Sequence, residues 1–202
     1  HLDAYQRLRQ HLGEQPKDVL IIGAGLIGSE LANDLALGGH HITLLDTATE
    51  PLARWHDQQA GPQLLDAWKD LSIRFEGGLQ VEQVERVGSR YRVSTTSGRR
   101  FAADEVVVAA GLLPPHRLAQ SAGLDWTHGI AVDAGTLQTS VSRIHALGDC
   151  ISIDGQCSRY IEPIARQART LAAAILGQPV APYEHRAAVV RVKTTTRPLT
   201  LH

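Results

Sequence analysis

Three glycines at fixed spacing, Gly23, Gly25 and Gly28, follow a short apolar run and precede a segment with helical periodicity. In such a turn the first glycine permits a tight bend, the second lets the backbone approach a phosphate, and the third allows close helix–strand packing. Exposed amide N–H groups and the helix dipole then favour an anion. We expect this turn, with Leu26 and Ile27, to bind the pyrophosphate of a dinucleotide.

An acidic residue, Asp46, ends the next apolar run, about 18 residues after Gly28. At this position a carboxylate can accept hydrogen bonds from the hydroxyls of an adenosine ribose, and it repels a 2′-phosphate. NAD is therefore favoured over NADP, although Arg54 nearby leaves the use of NADP open. The alternative interpretation of Asp46 is a plain strand-end residue.

A second motif, Thr-Ser-Val-Ser-Arg-Ile-His-Ala-Leu-Gly-Asp-Cys, occupies residues 139–150. It resembles the second FAD-contacting segment of the pyridine nucleotide-disulfide oxidoreductase superfamily. The resemblance implies that Asp149, preceded by Gly148, binds a ribityl hydroxyl of FAD. Residues 107–114, which include Gly111, resemble the strand and turn that join the NAD domain of this superfamily to its FAD domain.

Residues 21–35 and 190–199 are similar to one branch of the superfamily, the rubredoxin–NAD reductases. In the second stretch Thr195 stands where that branch has proline, and proline returns only at Pro198. The resemblance covers nearly the whole chain. It implies an enzyme that transfers hydride from NADH to FAD and passes electrons to a small iron protein, most simply rubredoxin.

The resemblance also assigns roles to four further residues. Glu30 would be the catalytic residue, near the nicotinamide and flavin rings, although a glutamate in the first helical turn also favours the helix dipole. Glu162 and Pro163 would begin a helix whose N-terminus points at the flavin, and proline is also common at helix starts. Lys193 would reach the flavin from a third domain.

The elements that must position these residues follow from apolar periodicity. Residues 19–22 and 42–45 are apolar runs of the kind buried strands require, and residues 26–37 between them repeat with helical spacing, so a parallel βαβ unit is predicted. Helices are also predicted at 3–12, 58–70 and 161–176, and strands at 72–75, 106–110, 130–132 and 144–147. Alternation over 79–101 predicts an antiparallel meander. The fold class is α/β, a Rossmann-like parallel sheet with a small meander, followed by part of a second dinucleotide-binding domain.

This organisation predicts four regions. We expect a linker helix over 1–16, an NAD-binding domain over 17–105, the C-terminal segment of an FAD-binding domain over 106–184, and the start of a third domain over 185–202. The glycine turn for the adenosine diphosphate of FAD is not found before residue 19, so the chain is expected to be a fragment that binds FAD poorly.

Composition excludes several classes of function. The 202 residues carry 20 Lys and Arg against 21 Asp and Glu, and this balance predicts no nucleic-acid partner. No apolar run approaches a membrane span, no signal peptide is recognisable, and a cytoplasmic location is the default. The two cysteines, Cys150 and Cys157, form no redox pair, and no metal-binding spacing occurs.

Two alternatives remain open at the level of sequence. The first is a ferredoxin-type or nitrite-reductase-type flavoprotein component of the same superfamily. The second, from another class, is a module that binds NADH without catalysing a reaction.

Overall fold

The computed structural model describes residues 2–55, 59–186 and 189–201. The chain divides into two compact units, one made of His1–Gly111 with Val189–His202 and the other of Leu112–Ala188. The elements of the first unit are α1 (Leu2–Leu12), β1 (Asp18–Ile22), α2 (Leu26–Leu37), β2 (His41–Leu45), α3 (Ala60–Ala67), β3 (Ile73–Glu76), β4 (Val81–Val87), β5 (Arg90–Thr95), β6 (Arg100–Ala103), β7 (Glu105–Val108), β10 (Val190–Val192) and β11 (Leu199–Leu201). The second unit contains α4 (Arg117–Ser121), β8 (Ile130–Ala131), β9 (Ile151–Ser152) and α5 (Ile161–Ile175).

A four-stranded parallel sheet, in the order β3-β2-β1-β7, forms the centre of the first unit. The predicted βαβ unit is confirmed, since β1 and β2 pair in parallel with α2 between them. Val19, Ile21 and Leu44 are fully buried in one apolar cluster, whereas Leu20 and Leu45 are buried in another. Burial on both faces explains why these strands are continuous apolar runs rather than alternating ones.

The predicted meander is also confirmed, as an antiparallel sheet in the order β4-β5-β6. Val93 of β5 is buried against Leu20 and Leu45 of the parallel sheet. Side chains on the other face of the meander are largely exposed, which accounts for the polar–apolar alternation seen in the sequence.

The C-terminal residues form an antiparallel hairpin, β10-β11, which the sequence did not predict. Val192 and Leu201 of this hairpin are buried in the same cluster as Val19 and Leu44. Residues 189–201 therefore pack with the first unit. Their assignment to the beginning of a third domain stays a prediction.

The second unit has a small core in which Val132, Leu137, Ile151 and Tyr183 are buried. Its strands are short, because β8 pairs with β9 over only two residues. The helix predicted at 161–176 is confirmed as α5.

The predicted strand at 144–147 is wrong. Within this segment only His145 makes a ladder contact, an isolated bridge to Gln138, while Ile144 is exposed. Arg143, just before the segment, adopts a left-handed conformation, φ +65°, in a turn closed by the Ile144 N–H on the Val141 carbonyl oxygen, so the segment begins directly at a turn. Ala146 and Leu147 pack against the core of the second unit, but the segment is not a strand of a sheet. The strand that pairs with β8 is β9, Ile151–Ser152.

The packing of the hairpin predicts a measurable effect on stability. Leu201→Ala should lower the free energy of unfolding by about 2–5 kcal/mol, because it removes a fully buried side chain from the core. The matched control is Thr200→Ala at the exposed neighbouring position. Urea denaturation measures both, and equal stability of the two variants would contradict the packing of residues 189–201 with the first unit.

Candidate functional site

The glycine turn lies at the carboxyl end of β1. Gly23 has φ +104°, and a Cβ atom there would lie 2.6 Å from the carbonyl oxygen of Ala109. A Cβ atom on Gly28 would lie 1.8 Å from the carbonyl oxygen of Gly23. At Gly25, in contrast, a Cβ atom would have nothing within 4 Å. The fold therefore requires glycine at 23 and 28, whereas the second glycine leaves open space in front of the backbone.

The peptide groups of Ala24 hold this turn in place. The N–H of Ala24 donates to Oδ2 of Asp46 at 2.5 Å. Its carbonyl oxygen accepts from the N–H of Leu52 at 2.9 Å and from Oγ of Ser29 at 3.2 Å. Leu52 is buried in the core with a left-handed backbone, φ +60°, which is unusual for leucine. The loop after β2 is thus tied to the glycine turn at two points.

Asp46 is brought next to the turn, but its carboxylate already has protein partners. Besides Ala24, the N–H of Ala48 donates to its Oδ1 at 2.8 Å, and the Thr47 hydroxyl makes a longer contact of 3.5 Å with the same oxygen. A carboxylate offers roughly four acceptor positions, so some acceptor capacity is left for a ligand. The sequence predicted a ligand-binding role for Asp46 and missed its structural one. Arg54 lies further along the same loop with an exposed side chain.

Helix α2 begins at Leu26 with an uncapped N-terminus. Gly25 is the N-cap and supplies no side-chain hydrogen bond, so the first amide groups of the helix have no side-chain cap. Leu26 is partly buried, and Ile27 is exposed. Free amide groups at a helix start bind anions through hydrogen bonds and through the helix dipole. The turn has the geometry of a phosphate site at the carboxyl edge of a parallel sheet.

Glu30, one turn into α2, is half-buried. Its Oε1 accepts the backbone N–H of Lys193 at 2.7 Å. The contact joins residues 163 positions apart, so no local pattern in the sequence could have indicated it. Lys193 is exposed, and its backbone rather than its ammonium group is what meets Glu30.

In the second unit, the Gly-Asp turn is held by a buried glutamine. Gly148, with φ +87°, donates its N–H to Oε1 of Gln167 at 2.7 Å. Gln167 lies on α5 and is 1% exposed, whereas Asp149 is exposed. Sequence reasoning missed Gln167. The available signal was its position four residues after Pro163, on the face of α5 that packs inward.

Glu162 and Pro163 form the first turn of α5, as predicted, and Pro163 is buried. Glu162 is exposed and pairs through both oxygens with Arg166, at 2.8 and 3.0 Å. This guanidinium holds the pKa of the Glu162 carboxyl below its usual range. Arg166 also lies over the ring of Tyr183, which ties the helix to the chain that follows it. The N-cap of α5 supplies no side-chain hydrogen bond.

Gly111 is exposed with φ +117°, a conformation that favours glycine. Among the described residues no group of three or more His, Cys, Asp or Glu side chains could hold a metal ion. In the same part of the chain no helix is both long and apolar enough to cross a membrane.

Comparison with known proteins identifies the family. Residues 1–174 match the family model described as pyridine nucleotide-disulphide oxidoreductase, and the chain belongs to that family. The chain is 39% identical over 189 residues to a nitric oxide reductase FlRd-NAD(+) reductase of Aeromonas salmonicida, covering 93% of this chain and 48% of that protein. It is 36% identical over 200 residues to a rubredoxin-NAD(+) reductase of Acinetobacter baylyi, covering 98% and 50%.

Two solved structures are similar in fold to this chain. The crystal structure of the covalent putidaredoxin reductase–putidaredoxin complex matches with a TM-score of 0.80 and 27% identity, over 96% of this chain and 48% of that one. A ferredoxin reductase for the CYP199A2 system from Rhodopseudomonas palustris matches with a TM-score of 0.80 and 30% identity, over 91% and 46%. The α/β fold class is thereby confirmed. The chain spans about half the length of the relatives it matches.

The glycine turn predicts that the same glycine-to-alanine substitution has a large effect on stability at Gly28 and a small one at Gly25. Gly28→Ala should lower the free energy of unfolding by about 3 kcal/mol or more, because the added methyl group collides with the backbone of Gly23. Gly25→Ala should change it by less than about 1 kcal/mol, because the methyl group enters open space at φ −73°. Urea titration compares the two, and equal destabilisation would argue against this packing.

Proposed function

We propose that this chain supplies the NADH-binding unit, and part of the FAD-contacting unit, of a reductase that passes electrons from NADH through FAD to a small iron protein of the rubredoxin type. The observation that carries the proposal is the glycine turn clamped by Asp46 at an uncapped helix start. The choice of acceptor is supported by the rubredoxin-NAD(+) reductase to which the chain is similar.

The dinucleotide is proposed to bind in three parts. The amides around Gly25 and at the start of α2, next to Leu26 and Ile27, hold the pyrophosphate, since the open space at Gly25 admits it. The free acceptor positions of Asp46 receive ribose hydroxyls, and its charge repels a 2′-phosphate. Arg54 is the residue that would admit some NADPH.

Glu30 is the proposed contact to the nicotinamide. Its carboxylate is oriented by the N–H of Lys193, which donates to Oε1. No side chain needs to act as acid or base. Bound FAD would supply the chemistry by accepting a hydride and releasing single electrons, and the protein supplies orientation.

The second unit fits a flavin contact on two grounds. Asp149 is exposed beside a glycine turn, and α5 begins without a side-chain cap, so its dipole can face negative charge. We assign Gly148, Asp149, Glu162 and Pro163 to FAD on this basis. Gly111 and Lys193 are proposed as further FAD contacts, which rest on the family resemblance alone.

The domain and location assignments are part of the same proposal. Residues 17–105 would form the NAD domain and 106–184 the FAD segment, between a linker helix over 1–16 and a third domain that starts in 185–202. A cytoplasmic location is proposed because the reductant NADH and two unpaired cysteines suit a reducing compartment.

A second candidate is a reductase for a ferredoxin. It is favoured by the 30% identity to a solved ferredoxin reductase. The two candidates share the NADH and FAD steps and differ only in the iron protein that receives the electrons.

Dinucleotide choice is tested with Asp46→Asn. Asparagine can still accept one backbone N–H but lacks the charge, so the ratio of the NADPH to the NADH dissociation constant should fall by roughly tenfold. Asp70→Asn, at an exposed position of the same unit, is the control. Calorimetric titration of both dinucleotides measures the ratio. If the two affinities fall equally, Asp46 serves the turn and does not select the ribose.

Acceptor choice is tested with the FAD-loaded enzyme. NADH oxidation should reduce rubredoxin faster than a ferredoxin, because the chain is 36% identical to a rubredoxin-NAD(+) reductase. Stopped-flow absorbance of each iron protein gives the two rates. Faster reduction of the ferredoxin would favour the second candidate, and tight NADH binding without flavin or electron transfer would favour a non-catalytic binding module.

A further inference from the structure

The first unit contains a buried polar side chain that the proposed function has not used. Asn33 lies on α2, three residues after Glu30, and is 0% exposed. Residues three apart on a helix lie on the same face, so Asn33 and Glu30 meet the same neighbouring segment. That segment is the loop 193–198 between β10 and β11.

The amide of Asn33 is satisfied mainly by this loop. Its Nδ2 donates to Oγ1 of Thr195 at 3.2 Å, and its Oδ1 accepts from Oγ1 of Thr196 at 2.5 Å. Nδ2 also donates to Oδ1 of the neighbouring Asp34 at 3.2 Å. Burying an amide is costly unless it is hydrogen-bonded, and an apolar residue would fill the same place without that requirement. The chemical type of residue 33 is therefore explained by the loop.

The loop is fixed at further points. Val192 and Leu201 at the adjoining strands are buried in the core. Within the loop, Oγ1 of Thr194 donates to the carbonyl oxygen of Arg197 at 2.6 Å, and the Arg197 guanidinium donates to Gln63 at 3.0 Å. The only contact from this segment to the proposed nicotinamide site, among the described residues, is the N–H of Lys193 on Glu30.

We propose that Asn33 is a positioning residue: it holds Thr195 and Thr196 on α2 so that the Lys193 N–H orients the Glu30 carboxylate for the nicotinamide. The proposal rests on the function proposed above. The side-chain hydrogen bonds of Asn33 in the described structure go to Asp34, Thr195 and Thr196 and not to the glycine turn or Asp46, so its effect should reach only the nicotinamide end of the dinucleotide.

The experiment compares NADH with ADP-ribose, which has the same pyrophosphate and ribose but no nicotinamide. Dissociation constants are measured by calorimetry for the whole chain and its variants. Asn33→Ala should raise the dissociation constant for NADH by about three- to tenfold. The dissociation constant for ADP-ribose should stay within about twofold of the wild-type value. Thr196→Val, a milder change of equal size, should give a smaller effect in the same direction. Thr200→Val, exposed on the same hairpin, is the matched control and should change neither.

Two further measurements separate positioning from general damage. Glu30→Ala should produce the same selective loss of NADH affinity, and adding Asn33→Ala to it should cause little further loss. Hydrogen exchange of the Lys193 amide should accelerate in Asn33→Ala but not in Thr200→Val. Equal weakening of NADH and ADP-ribose by Asn33→Ala, or unchanged affinity for both, would overturn the positioning role. A wild-type chain that binds neither ligand would instead overturn the proposed function, and the positioning role with it.

Discussion

The hydrogen bond from the Ala24 N–H to the Asp46 carboxylate connects the two parts of the dinucleotide site. It joins the turn after β1 to the residue that ends β2, and the return contact from Leu52 to the Ala24 carbonyl oxygen closes the connection. Rotation of these peptide groups away from the start of α2 would break both hydrogen bonds. The anion site at the helix and the acceptor site at Asp46 are therefore fixed relative to each other before any ligand arrives, which reduces the ordering cost of binding.

This arrangement gives the Asp46 charge two roles that cannot be separated by removing the side chain. As an acceptor it supports the backbone turn that any dinucleotide would use. As a charge it discriminates between a ribose hydroxyl and a phosphate. A substitution that deletes the carboxylate disturbs both roles, whereas asparagine removes the charge and keeps one of the two oxygens that accept backbone N–H groups. Loss of dinucleotide binding after removal of the Asp46 carboxylate would therefore not by itself show that Asp46 contacts the ribose.

The parts of the fold that the sequence predicted are those set by local pattern. Strands β1 and β2 are buried on both faces, so their apolar runs are unambiguous, and Gly23 and Gly28 sit where only glycine fits. The hairpin contacts of Glu30 and Asn33 were not predictable, because they join residues more than 160 positions apart. The strand predicted at 144–147 was wrong for another reason. Ala146 and Leu147 pack on the core while the segment makes only one isolated bridge within the described chain, and periodicity does not distinguish that case from a strand.

The two glycine turns are held by acceptors of different charge, and the difference follows from burial. Asp46 is only partly buried, so solvent stabilises its carboxylate while it accepts the Ala24 N–H. Gln167 is 1% exposed, and a carboxylate there would lose its solvation with only the Gly148 N–H in return. A neutral amide oxygen provides the same hydrogen bond without that cost. It also leaves Asp149 as the acidic group of its turn, so in the second unit the task of holding the backbone and the task of presenting a charge fall to separate residues.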